Sequence, residues 1–295
     1  MEPRTIERTP ATGSGNRHFP EPGAFGGTVT RRKNHDDKRA TSGSSTHGVA
    51  ARLAASGAML PQLYAVSEAL PAGPDAKTLR RLIVDDNLLA RPSHAARVKL
   101  HEKLQQRYFP PGRPDHWRLL VSALRRTTLD DQRALVACVA LNWNDLLFRS
   151  LNTTWLFSQL HHAGLSLKVE DVLEAIRKLA ETYPVIRHWR QSTRRSVAQH
   201  YLGALRDFGF ARGKVKKYLT RPHIGPEALL FACELLVAEG IPAPAIVRHP
   251  IFQALGLTLD ETVKALGDLD RRGLLRFRVQ GGVVHLRLEQ SGEQL

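Results

Sequence analysis

Thr258-Leu259-Asp260-Glu261, then Val263, Leu266 and Leu269, then Gly273, then Leu274-Leu275-Arg276-Phe277-Arg278-Val279, Gln280-Gly281-Gly282 and Val283-Val284-His285-Leu286-Arg287-Leu288 is the stretch that decides the fold. Thr258 followed by Glu261 is a capping box, in which hydroxyl and carboxylate each satisfy an orphan amide of the first helical turn. Leu259, Val263, Leu266 and Leu269 recur at helical spacing and predict a core-facing helix. Gly273 supplies the left-handed residue that closes it. The two alternating runs around Gln280-Gly281-Gly282 predict a β-hairpin. Helices from Pro226 onward that lead into such a hairpin predict a winged-helix-like segment.

The same order occurs once before, between about Leu151 and Thr220. Thr153 to Ala163 predicts a helix closed by Gly164. Val169, Val172, Leu173, Ile176, Leu179 and Ala180 follow the i, i+3, i+4, i+7 rule. A third helix opens at Ser192 or Thr193, either a good N-cap. At 100° per residue, Val197, Tyr201, Leu205 and Phe208 share its core face. Arg195, Gln199 and Arg206 fall opposite, beside the small Ser196 and Gly203. Such a face suits a DNA groove, because Arg pairs with guanine edges, Gln with adenine edges, and Ser or Thr at a helix N-terminus with phosphate. Gly209 ends the helix, and Phe210-Ala211-Arg212-Gly213-Lys214-Val215-Lys216-Lys217 reads as a basic wing.

From Arg190 to Arg221 nine basic residues occur (Arg190, Arg194, Arg195, Arg206, Arg212, Lys214, Lys216, Lys217 and Arg221) against one acid, Asp207. Solvated helices usually mix signs through i, i+4 pairing. The expected DNA-binding set is therefore Arg190, Ser192, Thr193, Arg194, Arg195, Gln199, Arg206, Arg212, Lys214, Lys216 and Lys217. Arg276, Arg278 and Arg287 on the C-terminal hairpin form a secondary set. The helix before that hairpin carries Asp260, Glu261, Asp268 and Asp270, which repel phosphate, so groove entry is not expected of it. A protein-docking or purely structural role for this segment stays open.

The whole chain agrees with this bias. Its 295 residues carry a formal charge of +15, with a pI of about 10.4. A surplus of that size concentrates a protein near polyanions. The apolar share of 42% is enough for a real core. Four regions are expected: a disordered tail over 1–57, a helical region over 58–150, and winged-helix-like segments over 151–222 and 223–295. The tail, rich in Gly, Pro, Ser and Thr, has too little apolar surface to offset its ordering entropy. It holds a basic cluster, Arg31-Arg32-Lys33 and Lys38-Arg39. Upstream of the first segment, Asp75 caps one helix, a basic amphipathic helix spans Ser93 to Tyr108, and Thr128 with Asp131 nearly forms a capping box before an apolar helix to Phe148.

Chemistry is not foreseen. No P-loop, dinucleotide glycine pattern, zinc-spaced Cys/His set or nucleophile elbow occurs. Cys138 and Cys233 lie far apart in apolar runs, which suits buried thiols in a reducing cytoplasm. His161-His162 point about 100° apart and make poor paired ligands. Asp85-Asp86-Asn87 suits a cap or turn, and Trp189 a core anchor. The longest apolar run, Ala134 to Leu141, is far short of the roughly 20 residues of a spanning helix. The expectation is a soluble, cytoplasmic, non-enzymatic protein with no catalytic residue, metal, cofactor, small-molecule substrate or membrane contact.

The order of motifs resembles the BrxA family of bacterial BREX (bacteriophage exclusion) systems. The likeness rests on Asp86-Asn87-Leu88-Leu89 with Arg91 and Ser93, and on Ser192-Thr193 leading to Leu205-Arg206-Asp207-Phe208-Gly209-Phe210. Pro226-Glu227-Ala228-Leu229-Leu230, His249-Pro250-Ile251-Phe252 and the closing hairpin complete it, over about Ala55 to Leu288. The resemblance implies a helical protein with winged-helix-like parts and likeness to the antitermination factor NusB. It also implies duplex DNA binding without catalysis in phage resistance, with other BREX subunits as further partners. The N-terminal tail departs from the family pattern. Two other functions fit the residues: a transcription regulator reading a short palindromic operator as a dimer, and a scaffold docking an acidic protein. Charge does not separate DNA from RNA.

Overall fold

The computed structural model describes residues 48–289 other than 163 and 282; the basic cluster of the tail lies outside them. Helices dominate. α1 (Leu60–Ala69) has proline in its first turn, where a missing amide costs nothing. α2 (Ala76–Arg80) opens on Asp75, whose carboxylate accepts from the Thr78 amide at 2.6 Å. α3 (His94–Tyr108) opens on Ser93, which accepts from Ala96 at 3.2 Å. Asn87, at φ 51°, accepts from the Arg91 amide, the turn role expected of it.

α4 (Pro114–Arg126) and α5 (Asp130–Asn144) complete the N-terminal bundle, and α5 is buried without interruption from Ala134 to Asn142. Two details differ from expectation. Thr128 does not cap α5, which has Leu129 at its N-cap and no side-chain bond there. The expected single helix to Phe148 also breaks at Asp145. That carboxylate, 3% exposed, caps the next helix, α6 (Leu146–Leu151), through the Phe148 amide. The competing helix start wins because a buried carboxylate needs an amide partner.

Order begins earlier than Ala58. A 3-10 turn, Arg52–Ala55, packs on the third helix of the first segment, with Leu53 fully buried. Side chains of α3 hold this strap by its carbonyls. Arg107 Nη2 donates to Arg52 and Ser56, Lys103 to Ala55, and the Tyr108 hydroxyl to Ala58. Arg107 is only 2% exposed, and burial lowers its pKa. Few aliphatic residues mark the strap, so composition concealed it.

The segment that follows runs helix, strand, helix, helix, strand, strand. α6 passes through a wide turn, Asn152–Leu156, into α7 (Phe157–Gln159). Then come β1 (Ser166–Leu167), α8 (Val169–Thr182), α9 (Gln191–Asp207), β2 (Ala211–Arg212) and β3 (Lys217–Leu219). The three strands form one antiparallel sheet in the order β1-β3-β2. The last part comprises α10 (Pro226–Ala238), α11 (Ala243–Val247), α12 (Pro250–Ala254), α13 (Leu259–Arg271), β4 (Leu275–Gln280) and β5 (Val283–Leu288). The capping box of α13 is present as read. Its buried face is Thr262, Leu266 and Leu269, whereas Leu259 is 44% exposed rather than in the core.

The two parts are interlocked. Gly256, at φ +83°, sits so close to Leu160 that a Cβ would lie 2.5 Å from its Cδ1. Gln253 donates to the Thr153 carbonyl at 3.2 Å. Both cysteines are buried free thiols, and burial pushes Cys233 up to about 12.

Candidate nucleic-acid interface

α9 carries the feature most legible in the sequence. Val197, Tyr201, Leu205 and Phe208 are at most 1% exposed. Phe148 meets Tyr201 and Phe208 edge-on, and Trp155 meets Tyr201 likewise. A buried polar chain fixes the helix further. The Tyr201 hydroxyl donates to Asn152 at 2.7 Å, Asn152 to Asn142 at 2.9 Å, and Asn142 to the Cys138 carbonyl at 2.9 Å. Burial holds Tyr201 well above the usual phenol pKa, so it stays a donor. A fully satisfied buried network specifies one position for α9.

The opposite face is open. Ser192, Arg195, Gln199 and Arg206 are exposed, and nothing lies within 4 Å of a Cβ built at Gly203. Helix geometry thus places long donors beside a bare strip of backbone. The expected cap is corrected: α9 starts at Gln191, with Arg190 at the N-cap and no side-chain bond. Ser192 and Thr193 therefore lie inside the first turn, where amides without intrahelical partners cluster.

The wing is small and tightly turned. Gly209 ends α9 at φ +83°, and Gly213 turns the loop at φ +97°. A Cβ at Gly213 would fall 2.1 Å from the Lys216 carbonyl oxygen, so only glycine fits. Lys217 Nζ donates to the Lys214 carbonyl at 3.2 Å across the turn. Arg212, Lys214 and Lys216 are exposed, and Val215 between the lysines is 94% exposed. Sheet register adds Tyr218, 38% exposed and opposite Arg212. It was absent from the expected set, although alternation between Lys217 and the buried Leu219 points it outward.

Two cations of the stretch, Arg194 and Arg221, are bound to other parts of the fold. Arg194 Nη2 donates to the carbonyls of Ile186 and Arg187, closing the turn before α9. Arg221 donates to Gly256 O at 2.8 Å and to both Glu261 oxygens at 2.6–2.7 Å. Burial alone raises the Glu261 pKa; bonds from Thr258 and Arg221 outweigh it and leave the carboxyl below its usual range. Arg206 pairs with Asp207 at 2.7 Å, and Arg195 lies 3.9 Å from Glu170. Exposed pairs of this kind contribute little. Apart from Arg194 and Arg221, seven of the nine cations line this surface: Arg190, Arg195, Arg206, Arg212, Lys214 and Lys216 are exposed, and Lys217 is half-buried.

The hairpin arginines are exposed too. Arg276, Arg278 and Arg287 occupy the outer face of β4 and β5, and Arg276 pairs with Glu289 at 2.5 Å. Three of the four acids on α13 are used internally. Glu261 serves Thr258 and Arg221, Asp268 pairs with Arg271, and Asp270 accepts from the Phe277 amide. Among the described residues no group of three or more His, Cys, Asp or Glu is arranged to hold a metal. No described helix is long and apolar enough to cross a membrane.

Fold and surface together define a mostly helical protein that presents a basic helix and a small basic hairpin to solvent. Within that class the chain belongs to the BrxA family, whose model matches residues 50–233, and it is thereby a BREX phage-defence protein. The match opens at the strap and ends inside α10, short of the C-terminal hairpin. A crystal structure of an uncharacterized protein from Magnetospirillum magneticum is similar in fold, with a TM-score of 0.55 at 14% identity. The alignment covers 70% of this chain and 97% of that one. No curated protein matches the chain.

Proposed function

We propose that the chain is a non-enzymatic, cytoplasmic accessory factor that binds duplex DNA in BREX defence, chiefly through phosphate and DNA shape. One observation carries the reading. Six exposed cationic side chains and the half-buried Lys217 line α9 and its wing, while the other face of α9 is buried and locked by the Tyr201–Asn152–Asn142 chain. Helix–strand–helix–helix–strand–strand with sheet order β1-β3-β2 supports reading this segment as a winged helix. In it α9 is the helix offered to the major groove, and Arg212, Lys214 and Lys216 lie along the backbone.

The roles follow from chemistry. Arg195 and Gln199 reach base edges across the strip at Gly203, as Arg suits guanine and Gln adenine. Arg190, Ser192 and Thr193 meet phosphate at the start of α9, where amide dipoles also favour anions. Arg206 does so at its far end once Asp207 is displaced, and Lys217 supports the wing. Arg194 acts behind this surface by shaping the turn that aims α9. BREX membership makes other BREX subunits partners to test alongside DNA.

The triple charge reversal Arg195→Glu, Lys214→Glu and Lys216→Glu tests the reading. All three side chains are exposed, so the fold should survive by circular dichroism and melting temperature. Gel shifts on duplexes of random sequence should disappear. Undiminished shifts by a folded triple variant would remove the proposal. Retention only on a palindromic operator would indicate a transcription regulator, and loss of an acidic protein partner without loss of DNA would indicate a scaffold.

A further inference from the structure

The register of the C-terminal hairpin brings basic side chains face to face, two arginines among them. Arg276 stands directly opposite Arg287, and Arg278 directly opposite His285. All four are exposed, with Gln280 and Val283 continuing the same face toward the turn. The reverse face carries Leu275 and Phe277, both buried, with Leu286 and Leu288 packed on the core. Folding therefore requires only that the outer face be polar.

Opposed like charges weaken a hairpin, whereas opposite charges at those positions would strengthen it. Arg276 alone has a partner, Glu289, and no described carboxylate lies within 4 Å of Arg278 or Arg287. The acids of α13 that would have offset them locally are largely engaged elsewhere, by Arg221, Arg271 and the Phe277 amide. Four basic side chains thus form a two-by-two grid. Its rows are roughly 7 Å apart along the strands and its columns about 5 Å across them.

We infer that this grid is a second phosphodiester-binding surface, which meets the backbone of duplex DNA independently of α9 and the wing. Its ligand takes its identity from the function proposed above, but its residues are separate. A sequence that gives up hairpin stability for a row of cations is accounted for when those cations meet a polyanion. Arg278 and Arg287 supply the permanent charges, His285 a further donor, and Arg276 joins when phosphate displaces Glu289. The grid lies beyond residue 233, outside the part of the chain that the family model matches.

Two variants separate this inference from the α9 reading: R278Q/H285Q/R287Q on the hairpin and R212Q/K214Q/K216Q on the wing. Each is titrated with a labelled duplex by fluorescence anisotropy across a salt series. The hairpin variant should show a log K against log salt slope shallower by about 2, and affinity at least about tenfold weaker at low salt. Its melting temperature should hold or rise, because repulsion has been removed, an outcome that a purely structural role would reverse. Unchanged affinity and slope for the hairpin variant, with loss for the wing variant, would overturn the inference and leave the α9 reading intact. Loss for the hairpin variant alone would do the opposite. A wild-type chain that retains no duplex would sink both.

Discussion

Salt linkage gives the sharpest test of the helix-and-wing surface, and the perturbation is the neutral wing variant, Arg212→Gln, Lys214→Gln and Lys216→Gln. The five cations assigned to phosphate, Arg190, Arg206, Arg212, Lys214 and Lys216, set the contribution of this surface to the slope of log K against log salt at about −4.5. A fourfold rise in salt then weakens binding roughly 500-fold by the same relation. Removing three of the five leaves about −1.8, or roughly a 12-fold loss over the same range. The predicted difference, about 2.7 in slope, is independent of what any other surface adds. Fluorescence anisotropy on a duplex of about 20 base pairs between about 50 and 200 mM potassium chloride resolves it. All three side chains are exposed, so stability should stay within about 0.5 kcal/mol of wild type. A folded variant whose slope equals that of wild type would show that the wing does not touch the backbone.

Three further outcomes follow from the geometry. Gly213→Ala places a methyl against the Lys216 carbonyl and must displace the wing, so duplex affinity should fall about tenfold with little change in melting temperature, since the wing is exposed; equal affinity would show that wing geometry is irrelevant. Leu53→Ala, at a site with no exposure, should cost about 2–5 kcal/mol, read as a drop of roughly 5–15 °C in melting temperature; a loss under about 1 kcal/mol would show that the strap is not part of the core. Arg107→Leu leaves the Arg52 and Ser56 carbonyls without their donor and should cost about 2–5 kcal/mol, with chemical denaturation as the measure and a neutral result as its refutation.

What the sequence revealed was whatever depends on spacing along the chain. Val197, Tyr201, Leu205 and Phe208 needed only helical periodicity, and all four are buried. The Thr258–Glu261 box and the alternation on either side of Gly281 likewise act within a few residues. What escaped depends on distant partners. Arg194 and Arg221 look identical to Arg195 in composition, yet a turn carbonyl and a helix 40 residues away claim them. Ser192 and Thr193 are ordinary N-caps by type, but the chain enters α9 at Arg190, two or three residues earlier. The strap was hidden because carbonyls gripped by Lys103, Arg107 and Tyr108 hold it alongside Leu53, and a backbone partner leaves no mark in the gripped sequence.

Both segments end in a helix followed by two antiparallel strands, but their charge is arranged differently, and the distribution of acids explains why. In the first segment α9 has a single acid, Asp207, so helix and wing project one field. In the second, α13 carries four, and two of them build the structure: Glu261 caps the helix and clamps Arg221, and Asp270 fixes the start of β4 through Phe277, while Asp268 pairs with the exposed Arg271. Replacing Glu261 would break the cap and the clamp, and replacing Asp270 the hairpin root. Arg276, Arg278 and Arg287 stand outward on β4 and β5, where among the described residues the one carboxylate paired with them is Glu289. Arg221 joins the two arrangements, since the residue lost from the first basic surface is the one that neutralises Glu261 in the second. Replacing Glu261 with Gln would therefore return a cation to the wing while loosening α13, and the two effects are separable as a steeper salt slope and a lower melting temperature in the same protein.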